Sequence, residues 1–365
     1  MSLKAGIVGL PNVGKSTLFN AITKKNILVA NYPFATIEPN VGIVTVPDER
    51  LGHLEEIYIP EELKPATFEF VDIAGIVKGA SLGEGLGNKF LSHIREVDAI
   101  VEVVRCFDDK EITHVDGSVD PIRDVEVINL ELALADLEII NNRIDKIKKK
   151  AETTKEKETV LEYNALTKAK EALEKDIPLR LVDFTKDEMF AIKGFNFLTL
   201  KPHIYLANIS ENEIKLENDY VKKLKEYAKG ENSKVIVVSA KIESELAELE
   251  DSDKEEMLNE LGIEKSGLDK LIEESYNLLG LKTYFTCGPK EVKAWTYKDG
   301  MNAKECAGII HSDFEKGFIK AEVISYQDLI EAGSELKVKE NGKFRIEGKE
   351  YLMQDGDICH FRFNL

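Results

Sequence analysis

Short apolar runs bounded by turn residues recur through the first 130 positions and again after residue 200. Lys4–Leu10, Val41–Val46, Phe68–Asp72 and Ala99–Phe107 are continuous rather than alternating, and His203–Asn208 and Lys234–Ser239 resume the style. Strands buried on both faces read this way. Separated by helical stretches such as Lys15–Thr23, they predict a mostly parallel sheet with helices on both faces. Between the two blocks the period changes. From Ala133 the apolar positions are Leu137, Ile140, Ile144, Ile147 and Ala151, the four-and-three spacing of a coiled-coil seam. After the polar stretch Glu152–Thr159, a second helical pattern carries Tyr163, Leu166, Ala169 and Leu173. The two predict an antiparallel helical hairpin inserted into an α/β domain. From about Leu281 come five short strand-like runs: Thr283–Cys287, Lys293–Tyr297, Ile319–Val323, Leu336–Lys339 and Ile358–Phe363. Asp-Gly and Asn-Gly turns ending at Gly300, Gly342 and Gly356 separate several of them, which predicts a small β-rich domain. The expected division is 1–129 with 200–280 for the α/β domain, 130–199 for the insertion and 281–365 for the last domain.

Composition narrows the partners. At about 150 residues per domain, 365 residues make two to three domains. Lys and Arg number 49 against 67 Asp and Glu, a net charge of −18, so broad nonspecific coating of nucleic acid is disfavoured and no DNA partner is expected. The hairpin departs from that balance, with 10 basic and 7 acidic residues over Asn141–Lys175. Ile242–Glu264 is the opposite, with 10 acids and one lysine, and reads as a solvated helix face or mobile loop. No apolar run approaches the roughly 20 residues that span a bilayer, so no membrane association is expected. The first residues lead straight into a glycine motif and read as a buried strand, not a signal peptide. Cys106, Cys287, Cys306 and Cys359 are far apart with no CxxC pair, as reduced thiols of a cytoplasmic protein would be.

Gly9-Leu-Pro-Asn-Val-Gly-Lys-Ser16 fits GxxxxGK[ST] after a buried strand and before a helix, which marks a nucleoside triphosphate site. Backbone N–H groups of such a loop wrap the β-phosphate, Lys15 reaches the β and γ oxygens, and the Ser16 hydroxyl ligates Mg²⁺. Asn12, Val13, Gly14 and Thr17 complete the expected contacts, and the helix N-terminus adds its dipole. Asp72-Ile-Ala-Gly75 ends a later strand, where Asp72 suits a second-shell Mg²⁺ contact and the Gly75 N–H a γ-phosphate oxygen. Thr36, in Tyr32-Pro-Phe-Ala-Thr36, is the candidate to complete the Mg²⁺ shell. Glycines at 79, 83, 85 and 87 suit an order–disorder switch. Asn208-Ile-Ser-Glu211 and Ser239-Ala240-Lys241 follow the two late strands, where a Ras-like fold reads the base.

Taken together, the phosphate loop, Asn31-Tyr-Pro-Phe-Ala-Thr-Ile-Glu-Pro-Asn40, Asp72-Ile-Ala-Gly-Ile-Val-Lys-Gly-Ala80, Asn208-Ile-Ser-Glu211 and Phe361-Arg-Phe-Asn364 resemble the YchF/Obg-like ATPase family. The resemblance covers essentially the whole chain. It implies a Ras-like P-loop NTPase domain, an inserted helical hairpin and a C-terminal α+β TGS domain of β-grasp type. It further implies a cytoplasmic, translation-related ATPase that prefers ATP to GTP and associates with the ribosome, with adenine read by backbone groups around Ile209.

Residue chemistry bears on the base independently. Guanine is held in Ras-like proteins by the Asp of Asn-Lys-x-Asp. Here Glu211 stands one methylene too long and Ile209 replaces the Lys, so guanine's paired bonds are lost. Asn208 keeps a contact to the imidazole nitrogen common to both purines. The alternative is that Glu211 is an ordinary surface acid and another loop reads the base. Ile76 stands where Ras-like enzymes carry the water-orienting Gln, so hydrolysis needs another source of assistance. Asn12 is a candidate K⁺ ligand, or an Asn chosen for turn geometry. His114, in the loop after Ala99–Phe107, is the candidate to position or deprotonate water. The hairpin and Lys316, Lys320, Lys337, Lys339 and Lys343 are candidate contacts to the large subunit or whole ribosome. Trp295 reads as core, and His311 receives no role. The rival readings are an Obg-type GTPase and a nucleotide-regulated ribosome or RNA adaptor whose hydrolysis is incidental.

Overall fold

The continuous apolar runs do become one sheet in a computed structural model that describes residues 3–25, 40–73, 86–115, 117–154 and 156–364. Its strands are β1 (Lys4–Val8), β2 (Val41–Thr45), β4 (Thr67–Asp72), β5 (Ala99–Arg105), β6 (His203–Asn208) and β7 (Lys234–Val238), in the order β2-β4-β1-β5-β6-β7. Strands β4, β1, β5, β6 and β7 are parallel neighbours. Their carboxyl ends, at Asp72, Val8, Arg105, Asn208 and Val238, therefore lie along one edge, where ligands of open α/β sheets bind. Every residue of β5 and β6 is buried, which explains why these runs do not alternate. The helices α1 (Lys15–Lys25), α3 (Leu86–Arg95), α7 (Asp219–Gly230), α8 (Ala240–Leu246), α9 (Asp251–Leu261) and α10 (Gly267–Leu278) fall between and after these strands.

The inserted hairpin is present and begins earlier than its seam predicts. Helix α4 runs unbroken from Pro121 to Thr154, 34 residues, and α5 (Lys157–Leu173) returns along it. The boundary expected at 129/130 thus falls inside a single helix. Val125 at its start packs with Val104, Tyr205 and Ala207 of the sheet, whereas Ile140 and Ile147 pack on Ala165, Leu166, Ala169 and Leu173. A change of packing partner leaves no mark on a 3.6-residue period. The base of the hairpin is pinned by Asp136, a fully buried carboxylate. It accepts from the Leu198 N–H (3.0 Å), the Thr199 N–H (2.8 Å) and the Thr199 hydroxyl (2.8 Å). Arg143 spans α4 and α5 through a two-pronged bond to Glu162. Helix α6 (Lys186–Ile192) was not predicted; a Thr185/Glu188 capping box starts it.

The chain separates into two compact units, Met1–Gly42 with Glu69–Lys270 and Ile43–Phe68 with Leu271–Leu365. Residues 43–68, expected within the first domain, cluster with the last because β3 (Glu62–Lys64) pairs parallel to β9 (Glu291–Lys298). That second unit holds α2 (Arg50–Tyr58), β8 (Leu281–Cys287), β9 (Glu291–Lys298), α11 (Ala303–Ile310), α12 (Ser312–Lys316), β10 (Phe318–Ser325), α13 (Tyr326–Ala332), α14 (Glu335–Glu340), β11 (Arg345–Glu347) and β12 (Asp357–Phe363). Its mixed sheet has the order β11-β10-β12-β8-β9-β3. Four of the five predicted strands form. Leu336–Lys339 instead belongs to helix α14: Ser334 caps it and only Val338 is buried, so the apparent alternation reflected no buried face. Gly300, Gly342 and Gly356 hold φ of 87°, 69° and 84°, as their turns require.

Other expectations divide. Trp295 is half-buried against the core, its indole N–H donating to the Thr286 hydroxyl with Lys293 Nζ over its ring. Cys106, Cys306 and Cys359 are buried free thiols, and Cys287 is half-buried. The acidic run forms α8 and α9 and is not wholly solvated: Glu243 is buried and accepts from the Gly267 N–H at 2.6 Å. His311 has a local structural task, its Nδ1 accepting from the Asp313 N–H at the start of α12. Among the described residues no helix is long and apolar enough to cross a membrane.

Asp136→Ala orphans three donors in a buried site, each worth about 1–3 kcal/mol. It is expected to lower the denaturant midpoint markedly, and Asp136→Asn, which keeps one acceptor oxygen, to lower it less; chemical unfolding curves measure both.

Candidate nucleotide site

The phosphate loop leaves β1 at Val8 and re-enters regular structure at Lys15, and its two glycines are required by close approach. A Cβ on Gly9 would lie 2.9 Å from the Val103 carbonyl oxygen. Gly14 has φ 96°, and a Cβ there would lie 2.2 Å from Asn208 Nδ2. Asn12 also takes a positive φ, 64°, a conformation that Asn tolerates better than most residues. Val13 is buried and anchors the loop from below, while Asn12, Ser16 and Thr17 are exposed. The first-turn N–H groups of α1 have no intrahelical acceptor, so together with the loop amides they form an anion site.

Lys15 Nζ is paired with Asp72 Oδ1 at the end of β4. The register of β1 on β4, Ile7 opposite Asp72, brings them together across 57 residues of sequence. Among the described residues the expected donors to Mg²⁺ are one hydroxyl, Ser16, and one carboxylate, Asp72. That sparse set fits an ion whose remaining shell comes from phosphate oxygens and water. Among the described residues no cluster of three or more His, Cys, Asp or Glu side chains offers a dedicated protein-only metal cage. Thr36, Gly75 and Ile76, with the glycines at 79, 83 and 85, lie outside the described residues.

Asn208 is the point where the loops meet. Its Nδ2 donates to the Val13 carbonyl (2.8 Å) and its Oδ1 accepts from the Ala240 N–H (2.9 Å), while its own carbonyl accepts from the Cys106 N–H (2.8 Å). These bonds use one of its two amide hydrogens. Ile209 is buried in a cluster with Cys106, Val221 and Leu224, and its N–H donates to Val238 at 2.8 Å. That N–H is therefore not a donor to a base. Glu211, which opens a short 3-10 turn, binds Lys241 Nζ, and the contact raises the lysine's pKa. Ser239 is buried just before α8, so Ser239, Ala240 and Lys241 face the Asn208–Glu211 segment.

His114 is not displayed on a solvated loop. Its side chain is 3% exposed, with Nε2 at 2.8 Å from Asp124 Oδ2 in the first turn of α4. The neighbouring Thr113 carbonyl does reach the phosphate loop, accepting from Asn12 Nδ2 at 3.1 Å. Three residues of this arrangement escaped the sequence reading. Arg105, buried at the end of β5, donates to the carbonyls of Phe107 (3.1 Å), Asp109 (3.2 Å) and Ile112 (3.0 Å) and so shapes the loop. Thr113 acts through its backbone, which no side-chain pattern reveals. Asp124 was legible only as an acid after a helix-starting proline. The one charge within the apolar run Ala99–Phe107 besides Glu102 was the available signal for Arg105.

Comparison with known proteins agrees with this architecture. A family described as 50S ribosome-binding GTPase matches residues 4–161, and the YchF GTPase C-terminal family, described as a protein of unknown function, matches residues 281–364. The chain is 60% identical to the ribosome-binding ATPase YchF of Bacillus subtilis and 54% identical to that of Haemophilus influenzae, in each case over the full length of both chains. The solved structure of the Schizosaccharomyces pombe YchF GTPase superimposes with a TM-score of 0.91 at 44% identity, covering 99% of this chain and 98% of that one. With the phosphate loop, the inserted hairpin and the C-terminal unit all matched end to end, the chain belongs to the YchF family.

Proposed function

We propose that the protein binds and hydrolyses ATP in preference to GTP, with Mg²⁺, and couples that cycle to the ribosome in the cytoplasm. The observation that carries the base preference is the Glu211–Lys241 pair. Guanine recognition asks a carboxylate at this position to accept two hydrogen bonds; here it is already committed to a lysine in the first turn of α8. Adenine asks nothing of it. The relatives' names differ on this point, ATPase in the bacteria and GTPase in the fission yeast.

In this reading water attacks the γ-phosphorus in line with the bridging oxygen to the β-phosphate, which leaves with the ADP. Lys15 and the loop amides of Val13 and Gly14 hold the charge that accumulates on the phosphate oxygens. Ser16 and Thr36 would hold Mg²⁺, which neutralises part of that charge, and Asp72 orients its water. Gly75 supplies an amide to the γ-phosphate, and His114 positions the attacking water or takes its proton. Asn12 keeps Oδ1 for K⁺, whose charge would stand where an arginine finger's does. A second reading, a nucleotide-regulated adaptor with incidental hydrolysis, draws support from the burial of His114 against Asp124.

Ribosome contact falls first to the hairpin. Lys146, Lys148, Lys149 and Lys150 are exposed near the far end of α4. In the C-terminal unit Lys320, Lys339 and Lys343 are paired with Glu322, Glu335 and Asp328, which weakens their pull on phosphate. The large subunit or the whole ribosome remains the proposed partner, and DNA does not.

Calorimetric titration of the nucleotide-free protein with non-hydrolysable analogues is expected to favour ATP over GTP at least tenfold, about 1.4 kcal/mol; equal affinities would sink the base assignment. Exchanging K⁺ for Na⁺ is expected to slow steady-state ATP turnover, and an unchanged rate removes K⁺ from Asn12. Reversing Lys146, Lys148 and Lys149 to Glu is expected to weaken cosedimentation with ribosomes and flatten its salt dependence by about three charges.

A further inference from the structure

The loop that follows β5 is fixed on the phosphate loop by its backbone while its histidine is turned elsewhere. Arg105 holds the carbonyls of Phe107, Asp109 and Ile112, and Asn12 holds that of Thr113. The very next side chain, His114, is buried with Nε2 at 2.8 Å from Asp124 Oδ2. The other oxygen of Asp124 accepts from Arg123 Nη2 at 3.1 Å, and the same nitrogen donates to the Ser118 carbonyl at 2.6 Å. The carboxylate is thus held from both sides by protein groups alone.

Asp124 stands in the first turn of α4, and that helix is continuous to Thr154. Lys146, the first of its exposed lysines, is 22 residues farther on, about 33 Å along the axis at 1.5 Å per residue. No loop or glycine interrupts the helix between the two, and the buried Asp136 contacts lie between them as a fulcrum.

We propose that Asp124 is a positioning residue that keeps His114 withdrawn from the attacking water, and that movement of α4 when the hairpin is engaged opens the pair. The proposal rests on the reading of His114 as the water-positioning group. It makes slow basal turnover a built-in restraint and assigns the hairpin the role of its release lever.

Full-length protein and its Asp124→Ala, Asp124→Asn, His114→Ala and Asp124→Ala/His114→Ala variants are compared for kcat and KM with ATP, with and without purified ribosomes. Asp124→Ala is expected to raise ribosome-free kcat about tenfold with KM little changed, the population shift that loss of one charge-assisted hydrogen bond allows. Stimulation by ribosomes should shrink by the same factor, and adding His114→Ala should abolish the gain. Asp124→Asn, which keeps the shape without the charge, should give a smaller rise of the same kind and stands in if the alanine variant does not fold. A fall or no change in kcat for both Asp124 variants, with His114→Ala still impaired, overturns the latch and leaves the reading of His114 intact. An unimpaired His114→Ala overturns both.

Discussion

The amide of Asn208 is the contact on which the nucleotide site depends. A buried carboxamide spends one donor on the Val13 carbonyl and its oxygen on the Ala240 N–H, tying the phosphate loop to the ends of β6 and β7. An unmet donor or acceptor at such a depth costs about 1–3 kcal/mol, so the three segments hold one relative position. The glycine at 14 follows from the same contact, because a Cβ there would collide with Asn208 Nδ2. The segment after Asn208 is likewise fixed: Ile209 goes into the core through its side chain and to Val238 through its N–H. What faces outward is Glu211, and it faces Lys241.

Buried polar groups play the same part wherever the helical insertion joins the sheet. Asp136 collects three donors from Leu198 and Thr199 at the return of the insertion, and Asp124 takes His114 and Arg123 at its start. Burial pushes the Asp136 carboxyl above its ordinary pKa, opposed by the hydrogen bonds from Thr199 and Leu198 that favour its charged form. Deeper in the sheet Glu102 and His203 lie 2.9 Å apart, both fully buried, with desolvation raising the acid's pKa and lowering the base's. These contacts make α4 an extension of the α/β domain with no linker between them. One continuous helix thus joins Asp124 to the exposed lysines at its far end.

Charge is divided unevenly between these regions. The chain carries −18 overall, with ten acids between Ile242 and Glu264, while Lys146, Lys148, Lys149 and Lys150 are exposed near the end of α4. The C-terminal lysines are largely matched by neighbouring carboxylates. At the end of α4, Lys150 is likewise paired, with Glu156, whereas Lys146, Lys148 and Lys149 are exposed beside it.

The phosphate loop, the parallel strands, the hairpin seam and the glycine turns were legible because each rests on local rules: spacing, period and the demand for positive φ. Lys15, Asp72, Asn208 and Ser239–Lys241 were legible as parts because strand ends carry them to one sheet edge. Leu336–Lys339 was misread because two apolar residues in alternation do not say whether either is buried, and a capped helix with one buried valine won. The 34-residue span of α4 and the pairing of β3 with β9 were invisible because they depend on partners far along the chain. So too were the roles of Arg105, Thr113 and Asp124, which act through backbone carbonyls and a buried carboxylate. The sequence by itself determined which chemistry the chain carries, since motif chemistry is local. Only the tertiary structure decided how that chemistry is held, with His114 turned to Asp124 and Glu211 to Lys241, because burial and pairing are properties of segments brought together by folding.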